Sequence, residues 1–268
     1  MPCTTNASTP SSSNDRVPHR RLWRRAWAFA LLVVTYQLPE GLGQRWLHDW
    51  WAVAGLFALF YACATVVAWC LGPTLTRCYA LETKQGLLTP CALLVVSAVL
   101  LKGVAVAIGI FAGWYARQPL ESSVGPSAVL LVLVMTAVPS IAEDIVTRGF
   151  WYRRVWARSP LAFVLGSTVI YVLNHIYRLG LGPGEWIMLT VFGLAYGLAV
   201  VRFDSLWPAV AAHWGWNVAN ALTDLVQPVT VVNGAATRGL SIAAHLLVCG
   251  VVWRLSRASW SARAGTVV

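Results

Sequence analysis

Charged residues are scarce in this chain. Asp, Glu, Lys and Arg make up only 11% of its 268 residues, 58% are hydrophobic, and the mean hydropathy is +0.64. A soluble domain carries about 25% charged residues, so water is the wrong solvent for most of this sequence. Other absences narrow the reading. The six cysteines, Cys3, Cys63, Cys70, Cys78, Cys91 and Cys249, form no C-x-x-C pair, and four of them lie in or beside apolar blocks. They read as small apolar residues, not as a disulfide framework or a zinc site. No glycine-rich phosphate loop and no heptad run occurs. The hydrolase signatures H-E-x-x-H, G-x-S-x-G and G-x-G-D are also missing, which argues against the zincin, serine and aspartyl types of protease.

What is present is a succession of long apolar blocks separated by short polar stretches, the pattern of spans alternating with loops. The blocks fall at Ala26 to Leu38, Trp51 to Leu71, Thr89 to Trp114, Ser127 to Ile141, Leu161 to Leu173, Trp186 to Val201, Trp207 to Leu222 and Leu240 to Leu255. Several are shorter than the roughly 20 residues of a simple span, and polar motifs at their ends are expected to continue the same helices. The fourth would run through Glu143 to about Trp156. Trp50, Trp51, Trp114, Trp186 and Trp207 stand at block ends, as interfacial anchors do. The expected fold class is all-α: one polytopic membrane bundle of about eight transmembrane helices.

The net charge of +10 reports orientation, not a nucleic-acid partner. With both ends on one side, that side holds Arg16, Arg20, Arg21, Arg24, Arg25, Arg77, Lys84, Arg148, Arg153, Arg154, Arg158, Arg202, Arg254, Arg257 and Arg263. The opposite loops hold Arg45, Arg117, Arg178 and Arg238, and Lys102 lies inside a span. The positive-inside rule then places both termini in the cytoplasm. Residues 1–25, Ser/Thr/Asn/Pro-rich and then Arg-rich, are expected to be a disordered basic cytoplasmic tail, 26–256 the bundle, and 257–268 a second cytoplasmic tail. No A-x-A-like cleavage site follows Tyr36, so the first block is expected to be retained as a helix.

Ionisable groups are costly in a bilayer, which makes each one a functional candidate. Three clusters qualify together. In Glu143-Asp144-Ile145-Val146-Thr147-Arg148, Asp144 and Arg148 stand four apart and can pair on one helical face, leaving Glu143 rotated about 100° away. Tyr171 and His175 are four apart near the end of the fifth block, and His213, Asn217 and Asn220 follow at i, i+4 and i+7 in the seventh. Each cluster alone has a bland explanation: an interfacial ion pair, an interfacial histidine, or interhelical hydrogen bonds. Together a free carboxylate, two imidazoles and an amide suit hydrolysis of an amide. Glu143 takes a proton from a water that His175 also holds, and His213 with Asn217 donates to the oxyanion.

These residues resemble the E-E-x-x-x-R, F-x-x-x-H and H-x-x-x-N motifs of the CPBP family of intramembrane proteases. That family includes the type 2 CAAX prenyl proteases and the bacterial bacteriocin-processing or immunity (Abi-type) proteins. The order matches, the run Phe192 to Gly197 and Ser205 to Pro208 is similar to bacterial members, and the likeness covers about residues 127–222. It implies an eight-helix fold in the cell's inner (plasma) membrane, with a cytoplasm-facing cavity and a glutamate-activated water that cuts peptides near the cytoplasmic membrane surface. Glu143 is then the base, His175 its partner on the water, and His213 with Asn217 the oxyanion site, with Asp144, Arg148 and Tyr171 in support. No cofactor is implied, although one glutamate and two histidines are zinc-compatible types. The partners implied are membrane lipid and a membrane-associated peptide or protein.

Two positions depart from the motifs. Asp144 replaces a glutamate, shortening the reach by one methylene, and Tyr171 replaces a phenylalanine, adding a hydroxyl that needs a partner. Lys102, near the middle of the third block, is expected either to face the cavity and pair with a carboxylate or to serve a structural hydrogen bond. Alternative functions are a non-catalytic scaffold or immunity-type protein of the same fold, and a transporter. The transporter reading ranks last because the halves show no repeat and the polar groups concentrate in 143–217.

Overall fold

A computed structural model describes residues 16–43, 49–120, 124–155 and 159–264. Among them, eight long helices carry the eight apolar blocks: α1 (Arg16–Gln37), α2 (Trp50–Leu71), α3 (Leu88–Phe111), α4 (Pro126–Asp144), α5 (Pro160–Asn174), α6 (Pro183–Phe203), α7 (Trp207–Val226) and α8 (Gly234–Ala264). The chain is an all-α, multi-pass membrane bundle. Five helical stretches, including Pro126–Arg154, have the length and hydropathy of a span. α5 is apolar but has only 15 residues.

Start signals follow local chemistry. Ser159 caps α5 by accepting from the Ala162 amide, and prolines occupy the first turn of α4, α5, α6 and α7, where a missing N–H costs nothing. α4 does not stop at Asp144. It passes through a π-helical turn, Ile145–Gly149, into Phe150–Val155, close to the extension read from the sequence. A single π turn inside an α-helix often marks a functional site.

Neighbouring helices alternate in direction, which defines two ends. At one, Arg24 reaches the Cys70 carbonyl, Arg153 pairs with Glu82 and Asp204, and Arg202 donates to Ser256 at 3.0 Å. We call this the basic end. At the other, β1 (Tyr115–Arg117) pairs antiparallel with β2 (Val229–Val231), and the Gln37 amide donates to the Asn174 carbonyl at 2.8 Å. This is the ribbon end. α6 is central: 56% of its span window is buried, against 22–33% in the other four stretches. The α3–α7 contact is close because Gly215 lies against the Val95 backbone, where an added Cβ would come within 2.8 Å of the carbonyl oxygen.

Three expectations need correction. Residues 16–25, assigned to a disordered tail, are the first turns of α1, and 257–264 of the second tail continue α8. Once a helix is nucleated, each added residue needs only good propensity, and Arg, Leu and Ala supply it without an apolar face. The remaining tail residues, 1–15 and 265–268, lie outside the described residues. Arg148 is not at a membrane surface: it is fully buried and paired with Asp144.

Candidate active site

The three polar clusters converge. Glu143, Tyr171, His175, His213 and Asn217 line one cavity of about 240 Å³ inside the bundle, together with Lys102, Tyr196, Trp216 and Asn220. Asp144 and Arg148 sit directly behind it, each fully buried. From Glu143 to Arg153 is ten residues, roughly 15 Å of helix, so the carboxylate lies about half-way through a ~30 Å hydrocarbon layer.

The two carboxylates have different surroundings. Asp144 is fully engaged: one oxygen pairs with Arg148, and Oδ2 lies 3.2 Å from His213 Nδ1. The Arg148 guanidinium also stands 4.7 Å from the Tyr171 ring centroid and 5.0 Å from that of Tyr196, so two aromatic faces share its charge. The side chain shortened by one methylene still reaches both partners. Glu143 is outside this network, as the helical spacing implies. Its Oε2 accepts from the Tyr36 hydroxyl at 3.2 Å, whereas its Oε1 is buried without a hydrogen-bond partner among the described residues.

Both imidazoles turn one nitrogen to Glu143 and anchor the other. His175 caps α5, its Nδ1 donating to the Tyr171 carbonyl at 2.9 Å, and its Nε2 is 3.8 Å from Glu143 Oε1. His213 gives Nδ1 to Asp144, and its Nε2 is 3.7 Å from Glu143 Oε2. Outer partners of this kind fix tautomer and ring orientation. Asn217 is oriented too. Ser140 donates to the Thr136 carbonyl at 2.7 Å and accepts from Asn217 Nδ2 at 3.0 Å, leaving the second amide N–H available.

Several contributors had no sequence signal beyond being polar in an apolar block. Tyr36 arrives from α1, Ser140 from one turn before Glu143, and Tyr196 stacks on His213 with ring centroids 5.0 Å apart. The Tyr196 hydroxyl in turn lies 2.9 Å from Nε2 of His245, on α8. Lys102 does face the cavity, with its ammonium 5.1 Å from the Trp216 ring centroid.

Among the described residues, the cavity lining reaches an exposed side chain at Arg178, in the segment after α5 at the ribbon end, and Glu40 of the segment after α1 also lines it. Toward the basic end Val146, Thr147, Phe150, Tyr152, Tyr79 and Leu206 are fully buried, and none of them lines the cavity. Gly149 makes this layer tight, since a Cβ there would meet the Tyr79 carbonyl at 2.8 Å.

Fold and site together define a polytopic membrane protein with an acid–imidazole centre buried at mid-depth. Residues 125–219 match the family model described as Type II CAAX prenyl endopeptidase Rce1-like. This segment is similar to that family of peptide hydrolases over about a third of the chain, and it contains every site residue inferred from the sequence. No curated protein and no solved structure matches the chain.

Proposed function

We propose that this protein is an intramembrane endopeptidase of the glutamic type. The observation that carries the reading is Glu143 Oε1, a buried carboxylate oxygen without a partner, 3.8 Å from the anchored His175 Nε2. Buried polar atoms are nearly always satisfied, so one left open in a cavity suits a reactant.

A water about 2.8 Å from both atoms donates one proton to Glu143 and the other to the lone pair of His175 Nε2. Its own lone pair then points away from both, toward a substrate carbonyl. Attack moves the first proton onto Glu143 and charge onto the carbonyl oxygen, and Glu143 later returns the proton to the leaving amine. Asn217 offers its second N–H to that oxyanion, and His213 donates through Nε2 when the ring carries both protons, a charge that Asp144 offsets. Tyr36 holds Oε2 and so leaves Oε1 for the water. Substrate and products are peptide and membrane-associated.

No cofactor enters these steps. Among the described residues no group of three or more His, Cys, Asp or Glu has the spacing of a metal site. Chelator treatment leaves activity intact on this reading, and loss restored by added zinc would replace Glu143's role with that of a metal ligand. The direct test is purified protein in liposomes with an internally quenched peptide library. Wild type releases fluorescence and Glu143→Gln does not; equal release by both contradicts the reading.

A further inference from the structure

We infer that the cavity is served from the extracytoplasmic side of the membrane, so that its substrate is an extracytoplasmic peptide or the outward end of a membrane segment. The word substrate rests on the peptidase reading above; the direction of access does not.

Two independent observations meet here. The first is the mouth. Arg178 stands at its rim, where its side chain, paired with Glu185, remains 47% exposed, and Glu40, Asn220 and Ser241 line it further in. Gly41 lies against the Tyr177 ring, which ties the segment after α1 to the segment after α5 on the same rim. All of these positions are at ribbon-end termini of their helices or within about two turns of them. Toward the opposite side the layer around Gly149 is fully buried and contributes no lining residue to the cavity, and the Leu206 amide donates to the Ala80 carbonyl at 2.9 Å there.

The second observation is charge. Among the described residues, with Arg148 removed to the interior, thirteen basic residues remain toward the basic end and three toward the ribbon end. The loops are short, and such a bias orients a multi-pass chain with its basic end in the cytoplasm. Glu40, Asp49 and Glu185 lie toward the ribbon end, where acidic residues meet no positive-inside constraint. A large apolar groove of about 680 Å³ between α3, α4 and α7 offers no alternative polar entrance, because it shares no lining residue with the cavity.

The test needs no substrate. In a variant whose native cysteines are replaced, single cysteines are introduced as Leu181→Cys at the rim, Asn220→Cys inside the cavity and Arg77→Cys at the basic end. Intact cells are then treated with a small membrane-impermeant methanethiosulfonate. Leu181→Cys and Asn220→Cys should react at least about tenfold faster from outside than Arg77→Cys, and the order should reverse in inside-out vesicles. The reverse pattern in both preparations, or reaction of Asn220→Cys only from the cytoplasmic side, overturns the inference. If a cysteine variant fails to accumulate, a C-terminal alkaline phosphatase fusion reads the same orientation: an inactive fusion agrees and an active one contradicts. Labelling proceeds without catalysis, so a negative peptide assay and a negative access assay remain distinguishable.

Discussion

Two polar networks in this molecule use the same side-chain types to different ends. At the basic end, Asp204 accepts from Lys84 and from the Tyr152 hydroxyl at 2.5 Å, while Arg153 bridges it to Glu82 at 3.2 and 2.8 Å. These charges are about a third exposed or more. At mid-depth, Asp144, Arg148 and His213 form an equally dense network with almost no exposure. Exposed pairs are worth little because water competes for every charge, whereas a buried pair that loses one member leaves the other stranded. The surface network therefore staples a loop, and the buried one fixes the side chains beside Glu143. Only in the buried region does an oxygen without a partner, Glu143 Oε1, carry chemical meaning.

Substitutions should separate the two regions. The largest effect belongs to Glu143→Gln, which should lower peptide hydrolysis by about 10³-fold or more with unchanged protein level, measured as initial rates normalised to purified enzyme. Asn217→Ala and His213→Ala should each cost about 10²–10³-fold in kcat, since each removes an oxyanion donor. Arg148→Met should instead act on the fold. It strands the Asp144 carboxylate, costing roughly 3–5 kcal/mol, and should appear as lost yield and a lower Tm in detergent. A double change, Asp144→Asn with Arg148→Met, should recover part of that stability without recovering activity, which sharpens the contrast between holding and reacting.

Asp204→Asn should give the smallest effect, under about 1 kcal/mol in thermal unfolding, because the pair is solvent-screened. Its pH dependence has a definite sign. Burial alone would raise the Asp204 carboxyl, but hydrogen bonds from Lys84 and Tyr152 and the charges of Lys84 and Arg153 outweigh it and hold the group below the usual carboxylate range. The network's contribution is thus fully present above the ordinary aspartate value near 3.9 and is lost as pH falls through the lower folded value. Tm measured from pH 6 down to pH 3 should decline less steeply in Asp204→Asn than in wild type.

The sequence exposed what is local and periodic. Eight helices followed from apolar blocks, and His213, Asn217 and Asn220 do share one face because α7 is a regular helix. Asp144 and Arg148 pair as their spacing indicates. The unread parts depend on contacts between distant segments. Tyr36 and Glu143 are 107 residues apart, and nothing in α1 singles out that hydroxyl from any other. Arg148 was counted with the surface charges because a basic residue after an apolar block looks interfacial; only the two tyrosine rings and Asp144 around it show why it stays inside. The direction in which the cavity opens is not legible in the sequence for the same reason. Which end of a bundle is open depends on packing around Gly149, Tyr79 and Leu206, and no single stretch of sequence records that packing.

The most direct test of the central claim is a comparison of protein termini in cells expressing wild type and Glu143→Gln at equal levels. New amino and carboxyl termini that pair across one peptide bond should appear with wild type and be absent with the variant. Identical sets of termini from both would contradict the assignment of Glu143 as the group that activates water.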